Sequence, residues 1–180
     1  MSSEKDAAPT LSADLLRRAP KVLLHEHLDG GLRPETCLEL ADSCGYEGLP
    51  SDDPATLAES FAAGADRKSL PLYLEGFAHT IAVMQSAEAL SRCAREALED
   101  LAADGVVYAE LRFAPHFHTQ GSLGLDGVME AVLDGLREGS LKTGISARLI
   151  VCAMRNEDPE LSEKLAALAV RYRDSGCGGF

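Results

Sequence analysis

Three apolar segments, 22–27, 106–114 and 145–154, are each followed by a stretch of helical periodicity that ends at a glycine: Gly45, Gly144 and Gly176. Strand followed by helix, three times over, implies parallel strands joined by crossovers that pack on the sheet. Two architectures satisfy that order, a doubly wound sheet and a (β/α)8 barrel, and the order alone leaves the choice open. The first segment, Val22–His27, opens on an unbroken aliphatic run, the pattern of a strand buried on both faces.

The punctuation between the segments is specific. An amphipathic piece, Leu11–Arg18, stops at Pro20. Pro34 stands in the first turn of the helix that ends before Gly45, with Leu38, Leu40 and Ala41 directed inward. Residues 46–85 are less regular. They hold an acidic turn, SDDP at 51–54, and a segment starting at Pro71, PLYLEGFAHTIAVM, with Leu74, Phe77 and Ile81 at helical spacing. Ser86 is placed to cap a long helix whose Leu90, Ala94, Ala97, Leu98 and Leu101 form one stripe and which Gly105 ends. A further helix spans Asp126–Lys142, and Asp158 with Pro159 opens the last one, which runs through Leu161, Leu165, Leu168 and Tyr172.

The sequence closes on SGCGGF, a glycine-rich turn of the kind that delivers a chain into its next strand. Three parallel strands cannot close a barrel, and ~250 residues is typical of one that does. Residues 1–180 are therefore expected to be a single incomplete (β/α)8 domain, about three βα units with a helical insertion near 55–85, from the N-terminal part of a larger protein. A complete three-stranded domain is the rival reading, and it would leave an apolar parallel edge open.

Charge narrows the partners. Seventeen basic against twenty-nine acidic residues give a net charge of −12, which repels a phosphate backbone and gives no drive toward nucleic acid or an anionic membrane. A small neutral or cationic molecule suits the chain better. The five cysteines are scattered and never spaced C-x-x-C, so reduced thiols are expected rather than a disulfide framework or a cysteine zinc site. The first residues, MSSEKDAAPT, are polar, and no run approaches ~18 apolar residues, so a cytoplasmic address is the default.

The polar end of the first segment is the richest in chemistry. His25 and His27 lie one residue apart; on a strand such a pair projects from one face and its imidazoles can converge on one ion, whereas on a helix they would diverge by ~200°. At the C-terminal end of a parallel strand they would also lie where α/β barrels place their chemistry. The pattern by itself also fits two hydrogen-bonded histidines in a polar barrel mouth. Glu110 and Arg112 alternate onto one face of the second strand and read as an ion pair inside the barrel. His116 and His118, just past Pro115, form a second H-x-H where the strand has ended and are not assigned to metal. His79 is expected to be solvated.

The residues around His25 carry a resemblance. HEHLDGGLRPET (25–36) resembles the first-strand signature of the adenosine deaminase family of metal-dependent amidohydrolases, in which H-x-H-L-D-G-A/S-x-R-P is typical; Gly31 departs slightly from it. SLPLYLEGF (69–77) is similar to the family's helical lid, GVVYAELRFAPH (105–116) to its second strand and VCAMRNED (151–158) to the end of its third. The matches fall in family order over residues 21–158.

That resemblance implies one zinc ion with His25 and His27 as two of its ligands. It also implies a substrate pocket formed by His27, by Asp29 accepting a sugar hydroxyl, by Tyr73 and Phe77 covering a purine, and by Met154 lining the wall. The implied reaction is hydrolytic deamination of adenosine and 2'-deoxyadenosine to inosine in purine salvage, with zinc activating water. The family's third zinc histidine, its glutamate proton donor, its orienting histidine and its paired aspartates lie beyond the fourth strand, so no catalytic residue is assigned within residues 1–180. An adenine deaminase, which typically has glutamate where this chain has Asp29, another amidohydrolase, and a non-functional fragment are the alternatives.

Overall fold

The computed structural model describes residues 11–66 and 68–180. Its centre is a sheet of four parallel strands in the order β1-β2-β3-β4: β1 (Lys21–His27), β2 (Val106–Phe113), β3 (Ser146–Val151) and β4 (Cys177–Gly179). Each strand pairs with the one before it in the chain. A doubly wound sheet would reverse direction at a switch point, so the sequential order selects the barrel-type arrangement.

β4 is not one of the expected strands. The glycine-rich SGCGGF, read as a turn, itself pairs with β3 through Leu149 with Cys177 and Ile150 with Gly179. Glycines are poor strand formers, and the neighbouring β3 edge supplies the hydrogen bonds that their side chains do not encourage.

The helices are α1 (Ala13–Arg18), α2 (Pro34–Cys44), α3 (Pro54–Ala65), α4 (Leu70–Val83), α5 (Ala87–Ala103), α6 (Leu125–Thr143) and α7 (Pro159–Arg171). Several starts follow from side-chain caps: Ser86 accepts from the Ala89 amide in α5, and Asp158 from the Glu160 amide in α7. The acidic turn at 51–54 proves to be a start signal too. Asp53 accepts from the Thr56 amide at 2.8 Å and opens α3, which fills much of the stretch that read as irregular. Gly105, at φ +85°, turns the chain from α5 into β2, and a Cβ there would overlap the Arg17 carbonyl oxygen.

α5 and α6 pack on the outer face of the sheet. Leu90, Ala94 and Leu98 of α5 and Val128, Val132 and Leu136 of α6 meet Ala109, Leu111 and Phe113 of β2 and Leu149 and Val151 of β3 in one buried core. Each fully buried leucine contributes about 2 kcal/mol. A polar seam ties α2 to α5: Arg33 donates to Asp100 and Glu99, and Glu96 is held between the Thr36 hydroxyl at 2.6 Å and Arg92 at 2.7 Å.

The inner face of the sheet is different. Val22 and Leu24 are 59% and 58% exposed, so the two-sided burial expected of β1 is found on the outer face only. Tyr108, Glu110 and Arg112 of β2, with Arg148 and Ile150 of β3, share this inner face and are at most half-buried.

Candidate metal and substrate site

β1 does not alternate regularly. Leu23 pairs with Ala109 and Glu26 with Leu111, so β1 spends one more residue than β2 between the two contacts. Strict alternation from the outward Leu23 would send His25 and His27 outward as well. The extra residue at Leu24–His25 resets the phase, as a β-bulge does, and His27 comes to face Arg112 on the inner side.

His25 Nε2 and His27 Nε2 are 3.3 Å apart. Two nitrogens each ~2.05 Å from one tetrahedral zinc stand ~3.3 Å apart, so the imidazole pair fits two corners of such a site. Burial, and then the nearby Arg112 and His25 charges, lower the His27 pKa, which favours the neutral ring that ligates metal. Among the described residues no group of three His, Cys, Asp or Glu side chains is placed to hold a metal ion. The Arg112 guanidinium lies 3.2 Å from His25 Nε2.

Asp29 follows in a short 3-10 turn, Leu28–Gly30, and is only 5% exposed. Its Oδ1 is 3.9 Å from His27 Nδ1 and its Oδ2 4.0 Å from His118 Nε2. Burial raises its pKa to about 6. The Thr80 hydroxyl of α4 donates to the Asp29 carbonyl, fastening the turn to that helix.

α4 also brings the aromatic groups. Phe77 stands edge-on to His27 with ring centroids 5.9 Å apart, and Tyr73, one helical turn earlier, is edge-on to Phe77 at 5.4 Å. Gly30 permits this approach, because a Cβ there would sit 2.9 Å from the Phe77 ring. A 580 Å³ cavity beside Gly30, Phe77 and Thr80 extends between α3 and α4. Met154 is half-buried two strands over, in the loop after β3. His25, His27, Asp29, Phe77 and Tyr73 thus form a continuous group at the carboxyl end of β1.

Two neighbouring groups differ from the sequence reading, and a third lies past the strand end as expected. No ion pair joins Glu110 to Arg112: Glu110 accepts from the Tyr108 hydroxyl at 2.9 Å, while Arg112 lies against His25. His79 is half-buried rather than solvated, with Nδ1 2.8 Å from the Tyr46 hydroxyl. His116 and His118 sit in a 3-10 turn, Pro115–His118. His116 pairs with Glu157 at 2.8 Å; His118 is fully buried, and that burial lowers its pKa to about 4. His118 and Arg112 are the site neighbours that sequence pattern missed. The H-x-H at 116–118 marked the first without indicating its burial.

Parallel strands in chain order, with polar groups gathered at their carboxyl ends, are the arrangement of a (β/α)8 barrel. Residues 20–180 match the family model described as adenosine deaminase, and the chain belongs to that family. An adenosine deaminase of Mycolicibacterium gilvum is 53% identical over 175 residues, covering 94% of this chain and 48% of the relative. The chain spans about half the length of the curated relatives it matches. Arabidopsis ADAL in complex with IMP superposes with a TM-score of 0.76 at 30% identity, over 92% of this chain and 50% of that one. An amidohydrolase of Burkholderia ambifaria with bound zinc gives a TM-score of 0.73 at 25% identity, over 97% and 47%.

Proposed function

We propose that the full-length protein is a zinc-dependent hydrolase that deaminates adenosine and 2'-deoxyadenosine to inosine products, and that residues 11–180 contribute the first part of its site. The observation that carries this reading is the 3.3 Å convergence of the His25 and His27 Nε2 atoms beside a buried Asp29, on a chain 53% identical to an adenosine deaminase.

His25 and His27 would be two of the protein ligands of the zinc, which when bound supplies Lewis-acid activation of water. The remaining roles fall to the chain's own side chains. Asp29 accepts a hydroxyl of the sugar, the directed polar contact that fixes a nucleoside in register. His27 borders the same pocket. Phe77 and Tyr73 cover the purine as part of a helical lid over the barrel mouth, excluding water from its ring, and Met154 lines the far wall. The proton donor and the residue that orients the attacking water would come from later strands. The five cysteines are free, which accords with a cytoplasmic place in purine salvage, and no helix among the described residues is long and apolar enough to cross a membrane.

The test is the fall in ultraviolet absorbance when zinc-loaded, full-length protein is given adenosine. Turnover with about one zinc per chain supports the reading. Folded, zinc-loaded protein that leaves adenosine intact and converts adenine would overturn it in favour of an adenine deaminase.

A further inference from the structure

The loop between β3 and α7 carries Met154 and is exposed at Arg155, Asn156 and Asp158. Glu157 breaks that run. Its carboxylate turns back toward β2, with Oε2 2.8 Å from His116 Nε2 in the turn that follows that strand. Both atoms are shut off from water, although the side chains they belong to are 11% and 26% exposed. An ionised carboxylate only accepts, so a proton lies between the two atoms, and the ring nitrogen is placed to supply it. The contact is short without being aligned as a hydrogen bond. Its attraction is electrostatic, in a setting that water and salt screen little.

The two ends of this contact are held unequally. The turn Pro115–His118 is braced on three sides: the Phe117 amide donates to the Ala114 carbonyl at 3.1 Å, the Thr119 hydroxyl to the His116 carbonyl at 2.9 Å, and the Gln85 amide to the Phe117 carbonyl at 3.0 Å. On the other side, the Glu157 amide donates to the Met154 carbonyl at 3.2 Å and closes residues 154–157 into one turn. Placing the Glu157 carboxylate therefore places the backbone of Met154.

We propose that His116 and Glu157 are positioning residues for Met154: His116, on the braced turn, clips the Glu157 carboxylate, and the turn that Glu157 shares with Met154 passes the constraint to the methionine that lines the nucleoside pocket. This rests on Met154 being part of that wall. A methionine has three rotatable bonds and adapts to whatever space it is given, so a wall built from one is defined only where its backbone is fixed. The clip gives the second histidine pair of the sequence a part in substrate recognition through His116, with neither a metal nor the nucleoside in contact with it.

The experiment combines kinetics and NMR of the zinc-loaded, full-length protein with carbon-13 in its methionine methyl groups. Glu157→Ala is expected to raise KM for adenosine about tenfold, the lower end of what one misplaced apolar contact in a pocket costs, with kcat and zinc content unchanged, and to shift the Met154 methyl resonance. His116→Phe gives the same rise, and the double variant no more. Glu157→Gln, whose amide oxygen still accepts from His116, keeps most of the wild-type KM. In a Met154→Ala background Glu157→Ala adds nothing further. Equal cost of Glu157→Ala in both backgrounds, or an unmoved Met154 methyl, overturns the proposal. So does a bare His116 Nε2 in nitrogen-15 spectra of the wild type, a result that stands even where a variant fails to fold. A Met154→Ala protein with unchanged KM instead defeats the assignment of Met154 to the pocket wall.

Discussion

Replacing Gly135 by alanine sets two effects of opposite sign against each other. In an isolated helix the change stabilises by about 1 kcal/mol, because alanine is the better helix former. Gly135 is buried in α6 against α5, however, and a Cβ there would overlap the Ser91 carbonyl oxygen and stand 2.8 Å from the Ser91 Cα. Carbon atoms sit comfortably at about 3.5–4.0 Å, so the helices must part by about 0.7 Å or more. The obstruction is backbone and cannot rotate away. A gap of that size forfeits about a quarter or more of the dispersion between facing side chains, here Leu90, Ala94 and Leu98 against Val128, Val132 and Leu136. Overpacking of this kind costs about 1–3 kcal/mol, occasionally more, and a backbone clash belongs at the upper end. After the helix gain is subtracted, Gly135→Ala should destabilise by about 2 kcal/mol. Urea unfolding of the full-length protein, followed by circular dichroism, measures it. Gly127→Ala on the same helix is the control: its Cβ would meet only the flexible tip of Leu123 at 3.2 Å, and a gain of about 0.5–1 kcal/mol is expected. A Gly135→Ala protein as stable as the wild type would refute the close α5–α6 approach.

Three other outcomes are expected. Asp29→Asn should raise KM for adenosine by about ten- to a hundredfold, the range of a lost charge-assisted contact, while zinc content holds; loss of zinc with normal nucleoside affinity would reassign Asp29 as a ligand. His25→Ala should abolish zinc retention through gel filtration, read by metal analysis, and an unchanged zinc content would remove His25 from the site. Lys142, with Arg95 and Arg33, holds the Glu99 carboxyl at about 2, below its ordinary 4.5. A depressed folded-state pKa contributes stability above 4.5 that is lost as pH falls toward 2. Glu99→Gln should therefore flatten stability against pH in that window, and unchanged acid sensitivity would count against the seam.

Much of the fold is legible in local chemistry. Ser86, Asp158, and the pair Pro34 and Gly45 mark helix ends because capping is settled within a few residues. α3 fell within the helical insertion expected near 55–85 but its bounds went unmarked, because its sequence, PATLAESFAAGA, has few large apolar side chains to set a period and its cap lay in an acidic run that also reads as a turn. β4 escaped because its residues, CGG, carry no strand signal; the partner strand decides their conformation. At the site, the spacing of His25 and His27 foretold their convergence. The bulge that turns them inward is a property of two strands in register, visible in neither alone. His118 lay beyond pattern for a similar reason, since its burial depends on Met84 and Phe113, contributed by two other elements.

The strand order also fixes when the site can exist. β3 and β4 find their partners a single helical crossover away, whereas β1 must wait for β2 across α2, α3, α4 and α5. Leu23 and Ala109 are separated by roughly 85 residues, the longest loop closed anywhere in the sheet, and longer loops cost more entropy to close. As the chain leaves the ribosome, His25 and His27 emerge early but stay without a register until β2 appears. The histidine pair is therefore assembled by the pairing that closes the longest loop in the sheet, so a nascent chain can acquire α2 to α5 before it can grip a metal ion.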